Sequence, residues 1–465
     1  MKGLSIVMRN SYFFVFLPLL CLLIATVVTS NAKITVGFAH YFFLTLIFLS
    51  VLFLSFKKPV FEFLSLINVL FFLGFWMKTS VHIISGEVFS EAYGKFGFTF
   101  VDSAIQSANW FGLGLLVLTL FSKKLKIIKI SLQKPKINDH ISVIGVTFIT
   151  ILFAVLNWNF EFLRVGLPSK VNIPFPFGPL LSWFLGVGSA FLFFLFTQRF
   201  KIINILFISV GMTVVSVSTL SRNSIMSFFY PLFLLIFKNR QHKIKALISL
   251  VIIFAFFIFS LLVITNLRTE YYSNELSGSI LQMPSGSILQ MPSRSILQMP
   301  SRSTSHLKGL FIERWLGIEG LLVAKAYESN ETFKTILLEN QKVSQTSIYQ
   351  ELAESYYPKP GQYLFYTFPG PAGLIFMAKS IPIQILAFSI FSLILMVTLL
   401  VIEKFFYGYE KSVICWWAAT SLSQISLFPI HYVKIHFFYL FLMILTVLTA
   451  AFINNKFTKQ SVHHP

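Results

Sequence analysis

Apolar runs of about 18–20 residues recur along almost the whole chain, and a helix crossing the roughly 30 Å hydrocarbon core of a bilayer needs about 20 such residues. Of the 465 residues, 56% are hydrophobic and 12% charged, and the mean hydropathy is +0.77. A water-soluble fold of this composition has too few polar residues to cover its surface. The runs fall near residues 12–29, 36–56, 60–77, 104–121, 141–158, 178–197, 202–219, 223–237, 246–265, 381–402, 413–428 and 435–453. Their length excludes a β-barrel, whose strands alternate over about ten residues. The expected fold class is an all-α polytopic membrane protein with about 12 transmembrane helices and one large extracytoplasmic loop containing short helices. Residues 1–265 form an N-terminal transmembrane bundle, 266–380 the large loop, and 381–465 the C-terminal transmembrane helices.

The net charge of +20 points away from nucleic acid once its distribution is considered. With both termini cytoplasmic, the cytoplasmic segments hold about 20 of the 37 basic residues and only about 3 of the 17 acidic ones. Lys123, Lys124, Lys126, Lys129, Lys134 and Lys136 crowd one short loop; Lys238, Arg240, Lys243 and Lys245 crowd another. This is the positive-inside bias that orients membrane proteins, and such clusters also contact anionic lipids. Cys21 and Cys415 both fall inside apolar runs, so neither a disulfide framework nor a thiolate metal site is expected. Lys2 and Arg9 before an apolar run resemble a secretory signal, but the run is long and no small-x-small site follows, so an uncleaved first span is expected.

Four segments then face outward: 78–103, the proline-rich 159–177, the tight Ser221-Arg222-Asn223-Ser224 connection, and 266–380. The last contains a tandem octapeptide. Residues 277–284 and 285–292 both read SGSILQMP, 293–300 reads SRSILQMP, and a fourth copy begins at Ser301. Near-identity between copies is the mark of recent duplication in a tolerant loop, and a proline every eight residues blocks a continuous helix. Beyond it, 309–328 has helical periodicity, with Ile312, Trp315, Leu316 and Glu319 on one face. A second short helix is expected at 347–356, and the aromatic stretch 365–371 leads back to the membrane.

Candidate chemistry sits where polar residues interrupt this pattern. Arg222 lies at a sharp turn between two apolar runs, where an ionisable group is a functional candidate. Its guanidinium can grip phosphate oxygens bidentately, and Ser221 or Asn223 can cap the following helix, whose N-terminus also favours an anion. The competing role is snorkelling to headgroups. Arg164 and Arg268 are outward arginines suited to substrate binding; headgroup anchoring is the alternative for Arg268, which directly follows a span. Arg314 and Glu319 are further catalytic candidates, with a surface Arg–Glu helix pair as the alternative. For proton transfer the candidates are His306, Glu313, Glu319, His431 and His436, of which His431 is preferred. The two histidines at 431 and 436 flank Lys434 in the last outward loop, five residues apart rather than the three or four of a helical metal pair. No Walker loop, helix-opening GxGxxG, His/Cys cluster or DxD-type acidic pair is present, so neither a metal nor a cofactor is expected.

A dozen spans, one large outward loop in the second half and a Ser-Arg motif at a tight outward turn resemble bacterial oligosaccharide repeat-unit polymerases of the Wzy type. Thr219-Leu220-Ser221-Arg222-Asn223-Ser224 is similar to the S-R-x-x stretch of many members. The segments 313–320 (ERWLGIEG) and Phe368-Pro369-Gly370 resemble further relatives. Arg164, Arg268 and Arg314 depart from the R-x10-G pattern of some members. The resemblance implies metal-independent glycosyl transfer at the outer face of the cytoplasmic (inner) membrane. Donor and acceptor would be oligosaccharides on polyprenyl diphosphate, and the implied partners are membrane lipids and a chain-length regulator protein. An O-antigen ligase is the nearest alternative, and a lipid-linked oligosaccharide flippase or transporter the alternative of another class. A transporter favours internal repeats and charges at mid-membrane.

The topology is directly testable. Reporter fusions after Lys126 and after Ser329 are expected to give opposite signals, cytoplasmic and external; equal signals would remove the assignment.

Overall fold

The computed structural model describes residues 37–57, 62–85, 100–125, 139–164, 176–197, 201–238, 243–280, 317–339, 347–353, 369–424 and 429–462, with a few isolated positions besides. Every regular element among them is helical. In chain order they are α1 (Phe38–Lys57), α2 (Glu62–Phe71), a π-helical turn (Phe72–Met77), α3 (Lys78–Ser85), α4 (Val101–Ser122), α5 (Asp139–Phe160) and α6 (Phe177–Trp183). A second π-helical turn (Phe184–Gly188) leads into α7 (Ser189–Phe196), α8 (Ile202–Ser218), α9 (Arg222–Lys238) and α10 (Lys243–Ile280). The remainder are α11 (Ile318–Ala326), α12 (Asn330–Leu338), α13 (Ile348–Ala353), α14 (Gly370–Met377), α15 (Ile381–Phe405), α16 (Tyr409–Ser423) and α17 (Pro429–Val462).

Among the described residues, seven rods are long and apolar enough to cross a membrane: Glu62–Ile84, Val101–Ser122, Ile141–Phe160, Phe177–Phe196, Ile244–Arg268, Ile381–Phe405 and Pro429–Phe452. Three shorter apolar helices accompany them, Ala39–Ser55, Ile202–Ser218 and Ser224–Ile236, and α16 is buried along most of its 15 residues. The protein is thus a helical membrane protein. The expected first span, 12–29, lies outside the described residues apart from helical Ile24.

Short connections make successive rods antiparallel, which gathers the basic connections at one end. There Ile130 donates its N–H to the Lys404 carbonyl at 3.1 Å, and Asn68 of α2 donates to Ser55 of α1 at 2.8 Å and Thr119 of α4 at 3.1 Å. This is the lysine end. The opposite end carries Arg164, Leu220 and Arg268 and is the arginine end. Between them runs an interior rich in phenylalanine. Phe48, Phe71, Phe75, Phe111 and Phe391 pack on one another, in part edge to face, with centroids 5.0–6.5 Å apart. Aromatic pairs at such spacing stabilise by about 0.5–1.5 kcal/mol beyond area burial. Phenylalanine here is therefore helix–helix packing as well as lipid contact.

The span expected at 60–77 does not stop at Lys78. The π-helical turn feeds into α3, and the helix continues to Ser85. Likewise the span expected to end near 265 continues as one 38-residue helix to Ile280, through the first half of the first octapeptide; residues 281–316 lie outside the described set. Of the 309–328 segment, Ile318–Ala326 is helical, and the 347–356 helix appears as Ile348–Ala353. α12 carries its own start signal: the Ser329 Oγ accepts N–H bonds from Glu331 and Thr332 at 3.2 and 3.5 Å.

α11 and α14 are the least ordinary elements. At nine and eight residues they are roughly 12–14 Å long, too short to cross a bilayer, yet nearly every residue in both is buried. Glycine makes the packing possible. A Cβ on Gly320 would collide with the Pro369 carbonyl oxygen, one on Gly317 with the Gly74 backbone in the first π-helical turn, and one on Gly373 would lie 2.8 Å from the Gly320 oxygen. These close approaches seat the two-helix insert against the bundle. Gly320→Ala is accordingly expected to lower stability by about 1–3 kcal/mol through overpacking, read as a lower melting temperature of the detergent-solubilised protein.

Candidate active site

Helix α8 ends in a Schellman turn built without glycine. The Leu220 N–H reaches the Val217 carbonyl at 3.1 Å and the Ser221 N–H reaches that of Ser216 at 3.0 Å. Leu220 therefore sits at φ +52°, a left-handed conformation that costs a residue with a Cβ about 1–2 kcal/mol. What holds it is Arg268 of α10, itself buried, whose Nε donates to the Leu220 carbonyl at 2.9 Å. Cation and helix C-terminus are electrostatically matched. One residue later the Ser221 Oγ accepts the Ser224 N–H at 3.2 Å and caps α9.

The end of α5 repeats this design. Glu161 follows the helix at φ +52°, its N–H bonded to the Asn157 carbonyl at 2.8 Å. Arg164 folds back over the turn. Its Nη2 lies 3.2 Å from the Glu161 carboxylate and donates to the Trp158 carbonyl at 3.3 Å. Its guanidinium sits 5.3 Å from the Trp158 ring centroid. Asn157 links the two turns: its side-chain amide donates to the Leu163 carbonyl at 3.0 Å and to the Ser218 carbonyl at 2.9 Å, and accepts the Leu163 N–H at 2.8 Å. Among the described residues, Glu161 and Leu220 are the two non-glycine residues with positive φ, and each belongs to a turn held by one of the predicted arginines. Strain of this kind gathers where geometry serves function.

Arg164 and Arg268 are thus brought to one region, and neither is a headgroup anchor, because both are buried in protein. Arg222 begins α9 instead of sitting in a loop; its side chain lies outside the described residues. Arg314, Glu313 and His306 lie outside them as well. His431 and His436 were expected in a loop but belong to the first turns of α17. His431 is exposed. His436 is buried, with Nδ1 3.1 Å from the Ser421 hydroxyl and Nε2 3.3 Å from the Thr398 hydroxyl, stacked on Trp417 at 4.7 Å. With both nitrogens engaged it clips α15, α16 and α17 together.

Glu319 departs from the surface position that the alternative reading gave it. It is not half of a surface Arg–Glu pair. It is buried in α11 and faces Lys78 of α3, Nζ to Oε2 2.5 Å, with exposures of 0% and 1%. Lys78 reads in the sequence as the first residue of an outward segment. Burial is tolerated because the carboxylate neutralises it, and an unpaired buried charge is far costlier than a paired one. A second buried pair, Glu403–Lys411 at 2.5 Å, joins α15 to α16 near the lysine end. The clue to Lys78 was a lysine directly continuing an apolar helical run. The clue to a further pair, His40 of α1 and Asp102 of α4 at 3.0 Å, was weaker: each simply stands at the start of a run.

No group of three or more His, Cys, Asp or Glu side chains that could hold a metal occurs among the described residues. Comparisons with protein-family models, with curated proteins and with solved structures found no match.

Truncating one partner, as in Lys78→Ala or Glu319→Ala, is expected to destabilise by about 3–5 kcal/mol, because it strands the other charge. The double replacement Lys78→Met with Glu319→Leu is expected to recover most of that loss. A thermal melt of the three purified variants checks both.

Proposed function

We propose that the protein is a membrane-embedded, metal-independent polymerase. It joins oligosaccharide repeat units carried on polyprenyl diphosphate at the outer face of the bacterial cytoplasmic membrane. The observation carrying this reading is the pair of buried arginines fixed on adjoining helix ends, Arg268 at Leu220 and Arg164 at Glu161, beside the Ser221 cap that opens α9 at Arg222. Glycosyl transfer from a polyprenyl diphosphate sugar develops negative charge on the departing diphosphate. Preorganised guanidinium groups stabilise such charge strongly at a low-dielectric interface, and a helix N-terminus adds N–H groups of the same sign.

The arrangement also suits a site at a membrane surface. The lipid tail stays among apolar helices while the diphosphate rests at their ends. The positive-inside bias supports assigning the arginine end to the outside, where lipid-linked units and a chain-length regulator would be met. The buried insert of α11 and α14, two helices too short to cross a bilayer, favours an enzyme over a simple channel.

Arg222 is the test. Its fork binds diphosphate in two directions at once, so Arg222→Lys is expected to fail almost as badly as Arg222→Ala, with rate losses of roughly 10²–10³ and unchanged abundance in the membrane. Glycan gels give the readout. Loss of a polymerase leaves single repeat units on the acceptor, whereas loss of a ligase or flippase leaves no surface glycan. Wild-type chain lengths in Arg222→Ala would take Arg222 out of the site, and complete loss of glycan would transfer the protein to one of those other functions.

A further inference from the structure

Glycosyl transfer requires a group that accepts the proton of the attacking hydroxyl, and most of the titratable groups described at the arginine end are otherwise engaged. Glu319 is locked to Lys78, Glu161 is held by Arg164, and His436 has a hydroxyl on each nitrogen. His40 differs. Its Nδ1 lies 3.0 Å from the Asp102 Oδ2. The other oxygen of Asp102 accepts the Gly37 N–H at 2.8 Å, and the carbonyl of His40 itself accepts the Asn109 side-chain amide at 2.9 Å. Carboxylate, ring and backbone are therefore mutually fixed. The Nε2 has no partner among the described residues, and the side chain is 41% exposed. The site is tightly built: a Cβ on Gly37 would stand 2.9 Å from the Asp102 carboxylate and 3.4 Å from His40 Nδ1.

We infer that His40 and Asp102 form the acid–base dyad of this enzyme, with His40 Nε2 taking the proton from the sugar hydroxyl of the acceptor unit; this rests on the polymerase reading. A carboxylate accepting from Nδ1–H selects the tautomer whose Nε2 lone pair is available, and then stabilises the imidazolium that forms. The step balances. The hydroxyl proton moves to Nε2, and the oxygen electron pair bonds to the donor's anomeric carbon. The bond from that carbon to the diphosphate oxygen breaks, and its electron pair leaves with the diphosphate. The imidazolium then returns its proton to water, which its exposure permits. Asp102 is a positioning residue. The competing role is a plain clip between the starts of α1 and α4, the kind of exposed pair that contributes little.

His40→Gln separates the two. A glutamine amide can still donate to Asp102 and preserve a clip, but it cannot take up a proton. The assay uses purified full-length protein in proteoliposomes, with lipid-linked repeat units extracted from cells lacking it, and Arg222→Ala run alongside. The expected result for His40→Gln is a rate loss of roughly 10²–10⁴ at unchanged melting temperature. Asp102→Asn should also be slow. His40→Ala should be partly restored by added imidazole, a rescue that a clip would not show and that serves even where the glutamine variant fails to accumulate. Wild-type rates in His40→Gln, or no imidazole rescue of His40→Ala, would overturn the dyad. If Arg222→Ala is inactive in the same series, the polymerase reading survives that result. If the wild-type protein lengthens no chains at all, the polymerase reading fails, and the dyad's role falls with it.

Discussion

A lysine with none of its side chain exposed must have its charge met within the protein, and Lys78 meets it in Glu319. That pair reaches across 241 residues of chain and fixes how the arginine end is built. It draws α11 against α3, and close backbone approach at Gly317 and Gly320 then seats α11 on the π-helical turn and on the residue before α14. α14 in turn holds Ser329 through the Met377 carbonyl and so places α12. The placement of three short helices, the first and second of them apolar and buried, is thus tied to one neutralised charge. Buried ion pairs contribute little to net stability, and in some proteins they select among alternative packings; the location of this one suits that role.

A second constraint acts on the helix ends. The last carbonyls of a helix lack partners within it, and in an apolar setting they must be satisfied by protein. Glycine is the common solution because it enters the left-handed region without strain. At Leu220 and Glu161 the chain instead uses ordinary residues and supplies arginines, one from α10 and the other from three residues along the chain. This couples backbone geometry to the same cations that the proposed chemistry needs. A guanidinium that must hold a strained turn is also a guanidinium with little freedom to reorganise, which is the condition for electrostatic stabilisation of a transition state.

The membrane character of the chain was legible because hydropathy over about 20 residues is a strong signal. Rod boundaries were legible at 381 and 202, where lysines and prolines punctuate the pattern, and illegible at 77 and 265, where a charged or polar residue continues a helix. Lys78 shows why. A window reads charge as exposure, and only the partner at Glu319, invisible at that distance, reverses the meaning. Arg164 and Arg268 were found by type and position, but their helix-capping geometry depends on positive φ at Glu161 and Leu220, which carry no glycine to announce it. His40 and Asp102 were passed over because each alone is unremarkable; only the packing of α1 on α4 joins them.

The π-helical turn at Phe72–Met77 has a bearing on how such a protein arises. A turn of this kind is an α-helix with one residue too many, and one residue corresponds to about 100° of rotation. Everything after it, Lys78 included, is wheeled round relative to the face that α2 presents. A single codon gained or lost in this stretch therefore decides whether Lys78 points to Glu319 or away from it. A change of length here acts on the direction of Lys78 itself, which a substitution elsewhere in the turn does not. The octapeptide array, by contrast, repeats in whole steps of eight residues and begins on the last turn of the helix that carries Arg268.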